Sequence, residues 1–290
     1  MKKNNPLIGA HVSINGGFYK AIEQAQAITA NCIQIFTKSN RQWKARTITE
    51  KEAETFHAMQ KKFNIKVIAH ASYLINLGSI SLITQTKSIH ALTEEIQRCS
   101  ILNIAYLVLH PGTYDKTQPF THGAKIIAHN LDQAITKSKT KNVTILLETM
   151  AGQGSVAGST FEELATILKQ IKHKKQVGVC VDTAHIFAAG YQFDTPTNYK
   201  KMWVLFKKHI GIKKLKAMHI NDSKTSCGSR VDRHEHIGHG KIPDQAFKLI
   251  MQDPALHNVI KVIETPKEDN QTQTDKKNIA QLKLFAKKNR

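Results

Sequence analysis

An acidic and an imidazole side chain stand where one apolar run of the sequence ends. The stretch VCVDTAHIFAAGY begins at Val179 as a β-branched segment and places Asp182 and His185 three residues apart, just as small residues take over. Nitrogen and oxygen ligands of this kind suit zinc, or manganese where carboxylates dominate. A strand that ends on two such groups indicates a functional site, and the pattern should recur if several strands build it.

The pattern does recur along the chain. Short apolar runs rich in Ile, Val and Leu begin at eight places: Leu7, Cys32, Lys66, Tyr106, Thr144, Val177, Leu215 and Val259. Near the C-terminal ends of seven of them stand residues of metal-ligating type: His11, His70, His110, Glu148, Asp182, His219 and Glu264. Lys38 takes this place after the second run. Burying so many polar groups without a metal or a substrate would be costly, so we predict a metal site.

The segments between the runs have helical spacing. Residues 161–168 form one such segment, and another extends from Tyr199 to His209, where Met202, Leu205 and Phe206 share a face. Apolar strands that alternate with amphipathic helices indicate a parallel sheet covered by helices. Eight such units predict the α/β class and a single (β/α)8 TIM barrel over residues 1–290, with the active site at the C-terminal ends of the strands. We expect the Lys-rich C-terminal segment to be a solvated helix.

A loop after the seventh run, NDSKTSCGSRVDRHEHIGHGKI, supplies further candidates. Asp232 and His234 are two residues apart, so both point the same way in an extended chain. Together with His185 they make a plausible third metal position of two imidazoles and one carboxylate. We interpret His236 and His239 as exposed residues of a His-rich loop that binds metal only adventitiously.

The candidate ligands are too numerous for one ion. They are His70, His110, Glu148, Asp182, His185, His219, Asp232, His234 and Glu264. Clustered divalent metals are the usual device for in-line displacement at phosphorus, where one ion activates water and another stabilises the leaving oxygen. Binding to a metal also lowers the pKa of water towards about 7. The cluster therefore predicts phosphodiester chemistry.

Composition limits the partners and the compartment. The 290 residues carry a net charge of +20, which suits a polyanion such as nucleic acid, although a lysine excess spread along the chain also fits compositional drift. No apolar run has the roughly 18 residues of a membrane helix. The start, MKKNNPLIGAHVSI, lacks the apolar region of a signal peptide, and the four cysteines form no CxxC pair. We expect a cytoplasmic monomer that does not contact a membrane.

Several motifs resemble those of the endonuclease IV family, the zinc-dependent apurinic/apyrimidinic endonucleases of base-excision repair. The motifs are IGAHVSINGG, FTKSNRQW, HASYLINLG, HPGTY, ETMAGQGS, GVCVDTAHIFAAGY, HINDSKTSCGSRVDRHEHIGHG and IETP. The resemblance extends from about Leu7 to Gln281 and implies the same barrel. It also implies three Zn²⁺ ions, with Mn²⁺ as an alternative at one site. By this resemblance, His70 and His110 hold the first ion, and Glu148 bridges it to the second, which Asp182, His219 and Glu264 also hold. The third ion is held by His185, Asp232 and His234.

The resemblance further implies the reaction and the partner. The family hydrolyses the phosphodiester 5′ to an abasic site in duplex DNA, leaving a 3′-hydroxyl and a 5′-deoxyribose phosphate, and it trims blocked 3′ ends. The attacking hydroxide would lie between the first two zinc ions, with Glu148 as the catalytic carboxylate. By the same resemblance, the residues that contact DNA are Arg41, Tyr73, Leu74 and Gln153. Trp43 is interpreted as a packing residue.

Departures from the family pattern and alternative functions accompany this interpretation. Ala71 follows His70 where some members have Asp, and Thr149 follows Glu148 where some have Asn, which we expect to change metal affinity or rate but not the reaction class. The first alternative is a metal-dependent TIM-barrel sugar isomerase or epimerase. It needs fewer ions and has no use for the Asp232 and His234 pair. The second is a DNA-binding relative without catalysis, which a lost ligand would have favoured. The third is a phosphotriose-type barrel, which would need a Gly-rich phosphate loop after the seventh or eighth strand, and SKTSCGS is only weakly similar to one.

Overall fold

A closed barrel of parallel strands forms the centre of the computed structural model, which describes residues 6–267 and 269–287. Its strands are β1 (Ile8–His11), β2 (Cys32–Phe36), β3 (Lys66–His70), β4 (Tyr106–Leu109), β5 (Thr144–Glu148), β6 (Val177–Asp182), β7 (Leu215–His219) and β10 (Ile260–Ile263). Neighbours in sequence pair in parallel, and β10 closes the barrel between β7 and β1. The predicted (β/α)8 barrel and all eight predicted strands are confirmed.

Helices cover the outside of the barrel. They are α1 (Phe18–Ala27), α2 (Glu50–Phe63), α3 (Leu82–Ile101), α4 (Phe120–Ser138), α5 (Phe161–Gln170), α6 (Thr183–Ala189), α7 (Pro196–His209), α8 (Asp244–Gln252) and α9 (Gln271–Phe285). Among the described residues, short 3₁₀ turns lie at Lys174–Gln176, Ile212–Lys214 and Pro254–Leu256. Hydroxyl side chains of Thr49, Ser81, Thr160 and Thr195 accept a hydrogen bond from the first turn of the helix that follows each of them. These N-caps fix where the helices begin, because the first amides of a helix have no partner within it.

Side chains alternate along each strand between the helices and the barrel interior. A buried interior layer contains Cys32, Ile68, Val108, Leu146, Cys180, Ala217, Ile260 and Val262. Residues two positions further along the chain return to the same inward face, and these are Gln34, His70, His110, Glu148, Asp182, His219 and Glu264. The apolar layer therefore forms the floor of a polar mouth at the C-terminal ends of the strands.

Two helices differ from the sequence-based expectation. In α7, Met202, Trp203 and Phe206 are buried, whereas Leu205, expected on the same face as Met202 and Phe206, is 38 % exposed. The C-terminal segment is helical as expected, but α9 is not simply solvated: Ile279 and Leu282 are buried. Residues 288–290 of this segment lie outside the described residues.

A short antiparallel hairpin lies beyond the barrel, where β8 (Asp222–Ser223) pairs with β9 (His234–Glu235). Because it follows β7, this hairpin belongs to the same C-terminal end of the barrel as the polar mouth. None of the helices within residues 6–267 and 269–287 combines the length and the apolarity that crossing a membrane requires.

Candidate metal centre

His70, His110 and Glu148 meet at the C-terminal ends of β3, β4 and β5, and we call them the first group. Nε2 of His70 lies 3.2 Å from Oε2 of Glu148, and Nε2 of His110 lies 3.3 Å from the same oxygen. His70 donates Nδ1–H to the carbonyl of Ala71 at 2.7 Å. Since a carbonyl can only accept, this hydrogen bond leaves the Nε2 lone pair of His70 free to face the group.

The second group consists of Glu148, Asp182, His219 and Glu264, which lie deepest in the mouth. Nδ1 of His219 is 2.9 Å from Oε1 of Glu148, 3.0 Å from Oε2 of Glu264 and 3.7 Å from Oδ2 of Asp182. The two carboxylate oxygens of Glu148 thus face different groups. Three carboxylates and one imidazole provide a ligand set that suits a divalent cation.

The third group is formed by His185, Asp232 and His234, from α6 and the hairpin. The carboxylate of Asp232 lies 3.2 Å from Nε2 of His185 and 3.3 Å from Nε2 of His234. Asp182 also approaches, because its Oδ2 is 3.6 Å from Nε2 of His234. From the sequence, Asp182 is expected only in the second group, whereas the structure brings it to both.

Two buried imidazole nitrogens without hydrogen-bond partners among the described residues indicate that a cation fits the third group. Nε2 of His185 and Nε2 of His234 are both buried, and neither finds a hydrogen-bond partner within the described part of the chain. Nδ1 of His185 donates to the carbonyl of Thr149 at 2.7 Å, and Nδ1 of His234 donates to the carbonyl of Glu264 at 3.1 Å. Both Nε2 atoms therefore present lone pairs to the carboxylates beside them. A divalent cation satisfies such a set of donors.

The carboxylates of the centre are held in their charged form. Burial would raise the pKa of Glu148, but His219 and His110 outweigh it and keep that pKa well below its usual range. Burial likewise opposes ionisation of Asp232, yet His185 and His234 lower its pKa to about 2. These carboxylates are ionised at neutral pH and available as metal ligands.

Backbone and hydroxyl groups orient the ligands from behind. Thr149, one of the two departures noted above, accepts a hydrogen bond from the amide of Asp182 at 2.9 Å and, through its carbonyl, one from His185. Asp222 fixes the hairpin loop that carries Asp232 and His234, since its carboxylate accepts hydrogen bonds from the amides of Gly238 and Gly240 at 3.1 and 2.9 Å. A Cβ on Gly240 would lie 2.4 Å from the Asp222 carboxylate, so this approach requires glycine.

The second strand contributes a residue that the sequence analysis did not single out. Gln34 is buried, donates to Glu264 at 2.7 Å and accepts from Nε2 of His219 at 2.9 Å. The signal was its position two residues after Cys32, on the inward face. Lys38, which the sequence analysis placed at this strand end, points away and donates to the carbonyl of Trp43 at 2.7 Å. His11 lies behind Glu264, at 3.6 Å, outside the three groups.

The other two histidines of the hairpin loop stand outside the groups as well. His239 is exposed, as expected, but His236 is half-buried, and its Nδ1 lies 3.1 Å from the side-chain amide nitrogen of Asn278. The prediction that His236 is exposed was therefore wrong. Because Asn278 belongs to α9, this contact joins the loop to the C-terminal helix.

Four candidate DNA contacts surround the mouth. The Tyr73 side chain is 55 % exposed, and its ring centroid lies 5.2 Å from that of His70 and 5.4 Å from that of His110. Leu74 beside it is half-buried, and Arg41 is exposed on the neighbouring loop. Gln153 is exposed and accepts a hydrogen bond from the amide of Asp232 at 3.2 Å. It therefore touches the segment that carries a candidate ligand, which the sequence did not indicate.

Trp43, which follows Arg41 in the same loop, is half-buried and packs against the hydrophobic core. Its interpretation as a packing residue is confirmed.

Comparisons with known proteins agree with this architecture. The model of the xylose isomerase-like TIM barrel family matches residues 22–287, so the barrel with its polar mouth defines the chain as a protein of that class. The protein named probable endonuclease 4 from Trichlorobacter lovleyi is 40 % identical over 277 residues, which cover 95 % of this chain and 98 % of that protein. The chain belongs to the endonuclease IV family.

Similar solved structures include a member of the endonuclease IV family and a protein that shares only the barrel fold. The crystal structure of endonuclease IV from Thermus thermophilus has a TM-score of 0.85 and 30 % identity, and the match covers 96 % of this chain and 98 % of that one. A D-tagatose 3-epimerase-like protein has a TM-score of 0.71 at 17 % identity, with 96 % of this chain and 98 % of that one covered. The second likeness shows the barrel fold alone, which is shared between a nuclease and a sugar-epimerase-like protein.

Proposed function

We propose that this protein is a DNA-repair endonuclease that hydrolyses the phosphodiester 5′ to an abasic site in duplex DNA. The products would be a 3′-hydroxyl and a 5′-deoxyribose phosphate, and the same site would remove blocking groups from 3′ ends. The observation that carries the proposal is the third group, because a sugar isomerase or epimerase has no use for His185, Asp232 and His234 beside two other ligand sets. The family relationship supports the same choice.

The three groups would hold three divalent cations, which we propose to be Zn²⁺, with Mn²⁺ as an alternative at one site. His70 and His110 would serve the first, Asp182, His219 and Glu264 the second, with Glu148 between them, and the remaining three residues the third. When bound, such ions supply Lewis-acid stabilisation of a phosphoryl group and lower the pKa of water. Four carboxylates against three such ions would leave a net charge of about +2, which favours an anionic phosphodiester.

Glu148 is the proposed catalytic carboxylate. Its oxygens lie 3.2 Å from His70 on one side and 2.9 Å from His219 on the other, so it keeps the first and second groups in fixed relation. Its full burial excludes water from the floor of the mouth. The reacting phosphate would therefore enter from the open side, past Tyr73.

Arg41, Tyr73, Leu74 and Gln153 are the proposed DNA contacts. Tyr73 stands exposed directly above the rings of the first group, where a planar side chain can fill the space left by an extruded nucleotide. Extrusion is least costly where no base is paired, so an abasic site is favoured over intact duplex. All nine candidate ligands come from one chain, which supports our proposal of a single-domain, monomeric enzyme. We also propose that it acts in the cytoplasm.

The test of this function is incision of an end-labelled duplex that carries one tetrahydrofuran abasic analogue. This analogue cannot undergo β-elimination, so a cut reports hydrolysis and not lyase chemistry. We expect a single cut on the 5′ side, with a 3′ end that a DNA polymerase extends directly. A preparation with metal bound that leaves this duplex intact but epimerises a ketose would overturn the proposal in favour of the sugar enzyme.

A further inference from the structure

Helix α3 places buried charged residues against two loops of the mouth. The first loop comprises residues 37–49, between β2 and α2, and contains Arg41. The second loop comprises residues 71–81, between β3 and α3, and contains Tyr73 and Leu74. Glu95 and Arg98 of α3 are both buried, and their polar atoms are directed at these loops rather than at a neighbouring helix.

Glu95 contacts both loops at once. Its Oε1 accepts a hydrogen bond from the amide of Ser72, in the second loop, at 3.1 Å. The same oxygen lies 3.9 Å from Nζ of Lys38, in the first loop. Lys38 in turn donates to the carbonyl of Trp43 at 2.7 Å. One carboxylate on a helix thus joins a backbone amide on one loop to a buried ammonium group on the other.

Arg98 completes the arrangement one helical turn away. Its guanidinium donates to the carbonyl of Thr37 through Nε at 3.2 Å and through Nη2, and to the carbonyl of Arg46 at 2.6 Å. These carbonyls lie near the two ends of the first loop. The loops are also joined directly, because the hydroxyl of Ser72 donates to the carbonyl of Asn40 at 2.8 Å.

Burying this network costs folding free energy, which indicates that it serves a purpose other than stability. Burying a carboxylate, an ammonium and a guanidinium group carries a desolvation penalty that packed apolar side chains would avoid. Glu95 accepts from the amide of Ser72, which directly precedes Tyr73, and the hydroxyl of Ser72 in turn donates to the carbonyl of Asn40, which directly precedes Arg41. Because hydrogen bonds are directional, such bonds fix the positions of the loop backbones more specifically than apolar packing would.

We propose that Glu95, with Lys38 and Arg98, is a positioning network that holds the two loops in register and thereby sets the affinity for damaged DNA. This inference rests on the proposed function for the DNA-binding role of the loops. None of the hydrogen bonds and ion pairs described above for Glu95, Lys38 and Arg98 ends on a side chain of the three ligand groups. Its loss should therefore weaken substrate binding while leaving metal content and the chemical step intact.

The test compares Glu95→Gln with a matched control, Asp132→Asn. Asp132 is also a buried helical carboxylate that accepts backbone hydrogen bonds, from Lys172 and His173, but it joins α4 to the segment before β6, at the other end of the barrel. Burial raises the pKa of Glu95 to about 7, although Lys38 acts to lower it. The assays should therefore be run at about pH 8, where the Glu95 carboxylate of the wild-type protein is mostly ionised. We expect KM for the tetrahydrofuran duplex to rise about tenfold in Glu95→Gln, with kcat within about twofold of wild type. Asp132→Asn should change neither.

Hydrogen exchange supplies a readout independent of incision. Glu95→Gln should speed amide exchange in both loops, and most at Ser72, whereas Asp132→Asn should speed it only around residues 172–173. If Glu95→Gln does not fold, Ser72→Ala removes the direct link between the loops without exposing a buried charge and should show the same split between KM and kcat. Equal rises in KM for both carboxylate variants, or unchanged exchange in the loops, would overturn the inference. A wild type that does not incise would instead refute the proposed function, and the exchange experiment would still decide on the network.

Discussion

At the scale of single residues, Glu148 connects more of the candidate centre than any other side chain discussed above. Glu148→Gln keeps the shape of the side chain but removes the charge that the surrounding imidazoles face. We expect the barrel to fold and incision to fall by more than about 10²-fold, because two ligand groups lose their common carboxylate. Circular dichroism and the incision assay measure the two properties separately. Global unfolding of this variant would contradict a purely catalytic role.

Gln34 should matter for metal affinity. Its amide donates to Glu264 and accepts from His219, so it sets the orientation of one ligand and the tautomer of the other. Gln34→Met removes both hydrogen bonds while keeping a similar side-chain volume. We expect zinc affinity, measured by competition with a chromogenic chelator, to fall about 10–100-fold. Val108→Ala, in the apolar layer below, is the control for barrel packing. Equal zinc affinity in wild type and Gln34→Met would show that the amide does not position the ligands.

The sequence could suggest most of the centre but not its supporting groups. Ligand types at strand ends share an inward register, so their convergence follows from the barrel alone. Lys38 was misplaced because the chain leaves the strand after Phe36 and its direction there depends on Glu94 and Glu95 of a later helix. Gln34 was missed because an amide inside a strand is not a ligand type. Its role appears only once His219 and Glu264 stand beside it.

At the scale of elements, strand β10 contains a buried lysine that should make stability depend on pH. Lys261 donates to the carbonyls of Leu256 and Val259, and burial lowers its pKa to about 8. The unfolded chain, with the usual lysine pKa, binds more protons between about pH 8 and pH 10.5, so raising the pH through this window stabilises the folded state. Below about pH 8 the penalty for the buried charge is fully present.

The comparison with Lys261→Met isolates this effect. We expect the free energy of unfolding of the wild type to rise by about 2 kcal/mol relative to that of the variant between about pH 7 and pH 10, as measured by urea denaturation. Other titrating groups are common to both proteins and cancel in the difference. A difference that does not change with pH would show that Lys261 keeps its ordinary pKa in the folded protein.

Element boundaries show where local pattern is sufficient and where it is not. The eight strands follow from apolar runs, since a parallel strand buried on both faces requires one. The faces of α7 and α9 do not follow, because they depend on which neighbours cover them. Leu205 is apolar yet 38 % exposed, whereas the polar α9 packs against the barrel through buried residues such as Ile279 and Leu282.

At the scale of the whole molecule, the net charge of +20 should make DNA binding depend on salt. Lysines that neutralise phosphates release counterions, so log Kd should rise linearly with log salt concentration, with a slope of about 0.9 per phosphate contact. Titration of abasic and intact duplexes at several salt concentrations measures this slope for each. We expect similar slopes and tighter binding of the abasic duplex. A slope near zero would identify the charge as compositional.

We propose that nine side chains of one chain hold three divalent metals and that this centre supports the cleavage of DNA at abasic sites. Metal removal and return on a single preparation test it most directly. We expect about three divalent ions per chain by elemental analysis, loss of incision of the tetrahydrofuran duplex after treatment with phenanthroline, and recovery when about three equivalents of Zn²⁺ are returned. Full incision by the metal-free protein, or no incision with three metals bound, would contradict the claim.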